Sequence, residues 1–310
     1  MAEITAKDVQ ALRMQTGVSM MECKRALVEA NGNADEAIKI LREKGLAVAA
    51  KKASRIAADG VVDIMYDDNT KTAIMIEVNS ETDFVAKNED FQSFVKSCLN
   101  VIAKERPADV AELLAKPFED KGMTVEDMLK EKILVIGENL TVRRFVIVEG
   151  IMSTYIHGNG KIGVIVKLDA EEKAVNDEGF GEFKKNLALQ VSAIPPLYIS
   201  REDVPASVIE EEREIISNQI KNDEANAKKP ENVIQKMVDG KVNKYYENNC
   251  LLEQEYIRDD KITIKQYIEA YKKQTGAEIS VVAYYRFEKG EGIQKREENF
   301  AEEIAKLTQQ

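Results

Sequence analysis

The sequence has no tryptophan, one histidine (His157), and only three cysteines and six prolines in 310 residues. Cys23, Cys98 and Cys250 are widely spaced and odd in number, so neither a disulfide framework nor a Cys-x-x-Cys metal site is suggested. A lone histidine without such a pair makes metal ligation at His157 improbable, and no metal or cofactor is expected. No apolar run approaches the roughly 20 residues of a membrane span. The start, MAEITAKDVQ, has neither a signal-peptide nor a transit-peptide layout. These absences point to a reducing cytoplasm and away from membranes. Positive charge is also short: 44 Lys and Arg against 55 Asp and Glu give −11. That balance weighs against nucleic acid as a direct ligand, since phosphate binding needs clustered cations. The one basic cluster, Lys44, Lys51, Lys52 and Arg55, reads as a solvated helix face or linker.

What is present is a chain with 44% apolar residues, long enough for two or three modules. Residues 5–55 read as about three short helices. Thr5, Ser19 and Asn33 are the expected N-caps, and Gly17, Asn31-Gly32 and Gly45 the stops. Val9, Leu12 and Met14 are expected inside. So small a bundle is marginal alone and suits docking. Its spacing is similar to that of ubiquitin-associated three-helix modules.

From Ala58 short β-rich runs appear, and they repeat. Gly60 and Gly150, Asn69 and Asn159, and Lys71 and Lys161 pair at an offset of 90; Phe91/Phe94 and Phe180/Phe183 pair at 89. Each copy reads as a β-hairpin followed by a helix, giving a duplicated α+β core. Between the copies TVEDMLKEKI is helical and LTVRRFVIVEG strand-like. After the second copy SAIPPLYIS breaks the pattern. The long Glu-, Lys- and Ile-rich stretch that follows predicts a protruding antiparallel helical hairpin. A further helix (ITIKQYIEAYKKQTG), a strand that could rejoin the second copy (AEISVVAYYRFEKGEG) and a terminal helix complete the chain. The expected division is 1–56 for the N-terminal module and 57–148 for the first core half. The second half takes 149–196 and 247–291, the hairpin 197–246 and the C-terminal module 292–310.

Three stretches carry candidate chemistry. HGNGKIG has the letters of a dinucleotide fingerprint, but a strand follows its glycines, so it is a hairpin turn. Catalysis at His157 would need a partner such as Asp83 or Glu81, and nothing in the sequence brings them together; the chain is not expected to be an enzyme. In EVNSETDFVAKNEDF, Phe84 stands in an otherwise polar strand-to-helix turn. At the offset of 90, Thr82, Asp83 and Phe84 fall on Glu172, Lys173 and Ala174, and Val85 falls on Val175. Phe84 is either a core anchor or an interface anchor, and the second copy, which lacks it, favours the interface. Met20 and Met21 are consecutive and cannot both face a narrow core, so one is expected at the surface.

With these residues in view the sequence resembles the translation elongation factor Ts family over essentially its full length. The resemblance is carried by LRMQTGVSMMECKRALVEANGNADEAI, AAKKASRIAADG, EVNSETDFVAKNEDF, IGENLTVRRF, YIHGNGKIGV and YRFEKGEG, in the family's order. It departs from the family at QVSAIPPLYIS, before the hairpin, and is loose at YYENNCLLEQEYIRDD. The resemblance implies a guanine-nucleotide exchange factor acting on GDP-bound elongation factor Tu. It implies that Thr82, Asp83, Phe84 and Val85 dislodge the partner's magnesium ion, with Phe84 wedging between partner helices. It further implies that Arg13, Met20 and Met21 touch the partner's GTPase domain, and that His157 and Gly158 approach one of its β-domains. Self-association through the helical hairpin is a further expectation. The rival expectation is a non-enzymatic scaffold that binds a protein through its N-terminal bundle.

Overall fold

The computed structural model describes residues 4–119, 122–223 and 229–294. The terminal helix expected beyond residue 294 lies outside them. The architecture is mixed α+β.

Helices α1 (Ala6–Thr16), α2 (Met20–Glu29) and α3 (Ala34–Lys52) form the N-terminal bundle. Thr5, Ser19 and Asn33 each accept an N3 backbone amide, so all three expected N-caps hold. Gly17 closes α1 in the left-handed conformation at φ 70°. Two expectations fail. Met14 is 83% exposed, because it lies two residues, or some 200° of helix, past the buried Leu12. Gly45 does not end α3, which continues to Lys52. Its role is proximity: a Cβ there would meet Leu134 Cδ2 at 3.6 Å on α7 (Val125–Ile136). The bundle core of Leu12, Cys23, Leu27 and Leu41 is completed by Leu134 and Val135 of that helix. Of the basic cluster, Lys52 donates to the carbonyl of Gly137, where α7 ends, a favourable place for a cation.

The core contains two three-stranded antiparallel sheets. In the first, β2 (Thr72–Ser80) lies between β1 (Asp59–Asp67) and β3 (Thr141–Glu149). In the second, β5 (Ile162–Ala170) lies between β4 (Ile151–His157) and β8 (Ile279–Glu288). Each central strand runs into a one-turn helix and then a longer one. These are α4 (Asp83–Ala86) and α5 (Glu89–Glu105) in the first half, α8 (Glu172–Val175) and α9 (Phe180–Ala193) in the second. Phe91 and Phe94 are buried against the first sheet, Phe180 and Phe183 against the second. Burying each contributes roughly 1.5–3 kcal/mol. A bulge follows Glu77 in β2 and Lys167 in β5, again 90 residues apart. Val62, Met75, Met152 and Ile165 form an apolar layer between the sheets.

α6 (Val110–Ala115) precedes α7 in the first half. The second half is finished by the small pair β6 (Glu255–Tyr256) and β7 (Asp259–Thr263) and by α12 (Ile264–Thr275). Between α9 and β6 stand α10 (Ala206–Asn222) and α11 (Glu231–Asn249). Their ion pairs, Arg213 with Asp239 at 2.7 Å and Lys221 with Glu231 at 3.4 Å, run in opposite directions along the two helices, so the pair is antiparallel. Ile216, Ile220, Ile234, Val238 and Val242 fill its seam. No helix among the described residues is long and apolar enough to cross a membrane.

Candidate functional site

Strand β2 ends at Ser80, and the next three residues turn the chain into α4. Thr82 occupies the N-cap position with extended backbone (φ −128°), yet its side chain does not cap the helix. It turns instead to Glu138, whose carboxylate accepts Thr82 Oγ1 at 2.7 Å and Thr82 N at 3.0 Å. Glu81 is held in return: its Oε1 accepts Asn139 N at 2.6 Å and lies 3.6 Å from the Arg55 guanidinium. Ser80 Oγ donates to Thr82 O at 2.9 Å. Hydrogen bonds to charged acceptors contribute about 1.5–3 kcal/mol each, so the turn is a braced structure. Sequence reasoning missed Glu138 and Asn139 as braces. The only local signal was two polar residues directly after the stop at Gly137, which does not say what they hold.

The helix itself buries Val85 and leaves Phe84 79% exposed. Phe84 is therefore not a core anchor. The alignment with the second copy also needs correcting. Helices α4 and α8 are related by an offset of 89, because the first copy has one more residue between strand and helix. Phe84 therefore matches Lys173, which is exposed, and Val85 matches the buried Ala174. The fold requires an apolar residue at the third position of this helix and solvent tolerates anything at the second; a phenylalanine there has no packing role. Asp83 pairs with Lys87 at 2.6 Å, and the hydrogen bond from that ammonium holds the Asp83 carboxyl below its ordinary range. Lys87 Nζ also lies 6.0 Å from the centre of the Phe84 ring.

The second candidate turn joins β4 to β5. His157 is exposed, with Nδ1 3.1 Å from the hydroxyl of Tyr155. No contact joins it to Asp83 or Glu81. Gly158, Asn159 and Gly160 all have positive φ, as a tight hairpin turn demands. Gly160 O accepts Val62 N at 2.8 Å from the other sheet. A Cβ on Gly160 would sit 2.2 Å from Val61 Cγ2, so only glycine permits this approach.

The two turns flank one open cleft of about 610 Å³, lined among others by Asp83, Lys87, Lys96, Gly158, Asn159 and Lys289. Arg13, Met20 and Met21 do not line it. They lie on the N-terminal bundle, at the end of α1 and the start of α2, and all three are exposed. The expectation of one surface methionine was thus too cautious. Met14 on the same bundle is exposed as well, and methionine side chains are soft and adaptable.

Comparison with known proteins agrees with the resemblance in the sequence. Residues 81–291 match the family model described as Elongation factor TS. The chain is 47% identical to the elongation factor Ts of Clostridioides difficile (strain 630) over 308 residues, covering 99% of each chain. It is 44% identical to that of Clostridium kluyveri, covering 98% of each, and 42% identical to that of Syntrophotalea carbinolica, covering 99% of each. Matches of this identity over nearly complete lengths leave one conclusion: the chain belongs to the elongation factor Ts family.

Proposed function

We propose that this protein is the guanine-nucleotide exchange factor for elongation factor Tu, acting in the cytoplasm during translation elongation. It performs no covalent chemistry. GDP and magnesium hold the GTPase in one arrangement; a factor that binds a different arrangement weakens both, and they weaken it in return. The observation that carries this reading is Phe84, a large apolar side chain held in solvent on a turn braced from three sides. Thr82, Asp83, Phe84 and Val85 form the segment that disturbs the magnesium site, with Phe84 entering between partner helices. His157 and Gly158 supply a second contact across the cleft, and Arg13, Met20 and Met21 a third.

A thousandfold acceleration of release through such coupling requires about 4 kcal/mol of differential binding. Burying Phe84 supplies roughly 1.5–3 kcal/mol before any cost of parting helices, so the other contacts are needed as anchors. The labour divides along the segments 1–56, 57–148, 149–196 with 247–291, and 197–246. Exposed Ile215 and Val233 on the hairpin are where self-association would occur.

The scaffold alternative explains the N-terminal bundle but gives the exposed Phe84 nothing to do. The two readings separate when fluorescent GDP is released from elongation factor Tu. An exchange factor accelerates release as its concentration rises; a complex that forms without acceleration would establish the scaffold.

A further inference from the structure

Glu77 sits in the middle of β2 with no exposed surface. A buried carboxylate persists only when it is paired and fully hydrogen-bonded. Glu77 has four donors: Arg144 Nε at 2.6 Å, the Gly290 amide at 2.8 Å, Arg143 Nη1 at 2.9 Å and Asn79 Nδ2 at 3.1 Å. Three of them belong to the first sheet. Gly290 follows β8, the third strand of the second sheet, so this carboxylate joins the two halves of the core.

The junction extends from there. The Arg144 guanidinium lies 4.2 Å from the centre of the Phe287 ring and pairs with Glu291 at 3.1 Å. Arg143 also donates to the carbonyl of Glu291, and Lys289, which lines the cleft, pairs with Asp59. The backbones come so close that a Cβ on Gly290 would lie 2.1 Å from the carbonyl oxygen of Ala58. The rest of the contact between the sheets is largely apolar and non-directional, apart from Arg144 Nη2 donating to the Glu288 carbonyl at 3.4 Å and the bond between Val62 and Gly160. Apolar layers resist separation more than rotation. The directional contacts set the angle between the sheets; most of them are made by Arg143 and Arg144, which Glu77 holds, and Glu77 itself takes the Gly290 amide.

We propose that Glu77 is a positioning residue for exchange: by clasping the two sheets it fixes the spacing of the Phe84 turn and the His157 turn across the cleft. This rests on the reading of those turns as contacts with elongation factor Tu. Two contacts on one rigid body bind as a bivalent ligand, and loosening their connection lowers the effective concentration of the second. Losing the clasp therefore weakens engagement more than it slows release once both turns are engaged.

The test uses the full chain with Glu77→Gln and a milder companion, Arg143→Gln, which leaves Glu77 three donors. Cys23, Cys98 and Cys250 are buried, so spin labels go to cysteines introduced at the exposed Glu89 and Lys161, one in each half. The parent is expected to show one narrow distance distribution, Arg143→Gln a broader one and Glu77→Gln the broadest. The concentration giving half-maximal GDP release should rise roughly tenfold in Glu77→Gln, with the maximal rate within about twofold of the parent. Should Glu77→Gln fail to fold, Arg143→Gln carries the same comparison with smaller shifts. Distributions of parental width in the folded variants would overturn the proposal, as would a lowered maximal rate at unchanged half-saturation. If Phe84→Ala and His157→Ala leave exchange intact while the distances still broaden, the contact reading itself fails, and the functional role of Glu77 with it.

Discussion

Phe84 and Lys173 occupy the same position in two copies of one turn, and both are exposed. The duplication was legible in the sequence, but the register of this turn was not. A single inserted residue shifts which side chain faces solvent, and no periodicity in a four-residue helix reveals the shift. The sequence therefore matched Phe84 with Ala174, although the inference that the turn does not need its aromatic stands. Phe84→Ala is expected to change the free energy of unfolding by less than about 1 kcal/mol, since little packing is lost. Release of labelled GDP from elongation factor Tu should nevertheless fall well below the parent rate. Thermal melts beside single-turnover release check both; a loss of ~3–5 kcal/mol with normal release from the folded fraction would mean a core residue after all.

At the scale of elements, capped helices and hairpins could be read from local signals such as Thr5, Ser19, Asn33 and the Gly158–Gly160 turn. What could not be read is pairing across distance. Neither the seat of α3 on α7 nor the clasp at Glu77 has a local signature, so Gly45 was mistaken for a stop when it is a point of close approach. Glu77 is a charge inside the apolar run IMIEVN, but nothing near it in sequence names the partners it meets. Its acidity gives a check on the clasp. Burial alone would raise its pKa, but hydrogen bonds from Gly290, Asn79 and Arg143 and the charge of Arg144 bring it below the ordinary value. A carboxyl with a lowered folded pKa stabilises the protein above its unfolded pKa of about 4.3, and that stabilisation disappears as pH falls through the folded value. The melting temperature of the parent should therefore drop on acidification below about pH 4, and the gap to Glu77→Gln should narrow. A gap that stays constant to pH 2 would show that the carboxylate is not the group responsible.

On the scale of the whole molecule, the N-terminal bundle is set against the core through α7, and its proposed role is to anchor the partner. Deleting residues 1–55 removes Arg13, Met20 and Met21 but leaves both sheets and their helices. It also uncovers Leu134 and Val135 and removes the Lys52 contact at the end of α7. The truncated chain should therefore fold with a lower melting temperature and bind elongation factor Tu more weakly. Calorimetric titration checks this, and undiminished affinity would remove the bundle from the interface. The proposed exchange rests on an opposition: this chain weakens GDP binding to the GTPase, and GDP weakens binding of the chain, by the same factor. Its most direct test is the affinity of the full chain for nucleotide-free and for GDP-loaded elongation factor Tu. The expected result is much tighter binding to the nucleotide-free form, by the same factor with which the chain weakens GDP; equal affinities for the two forms would contradict it.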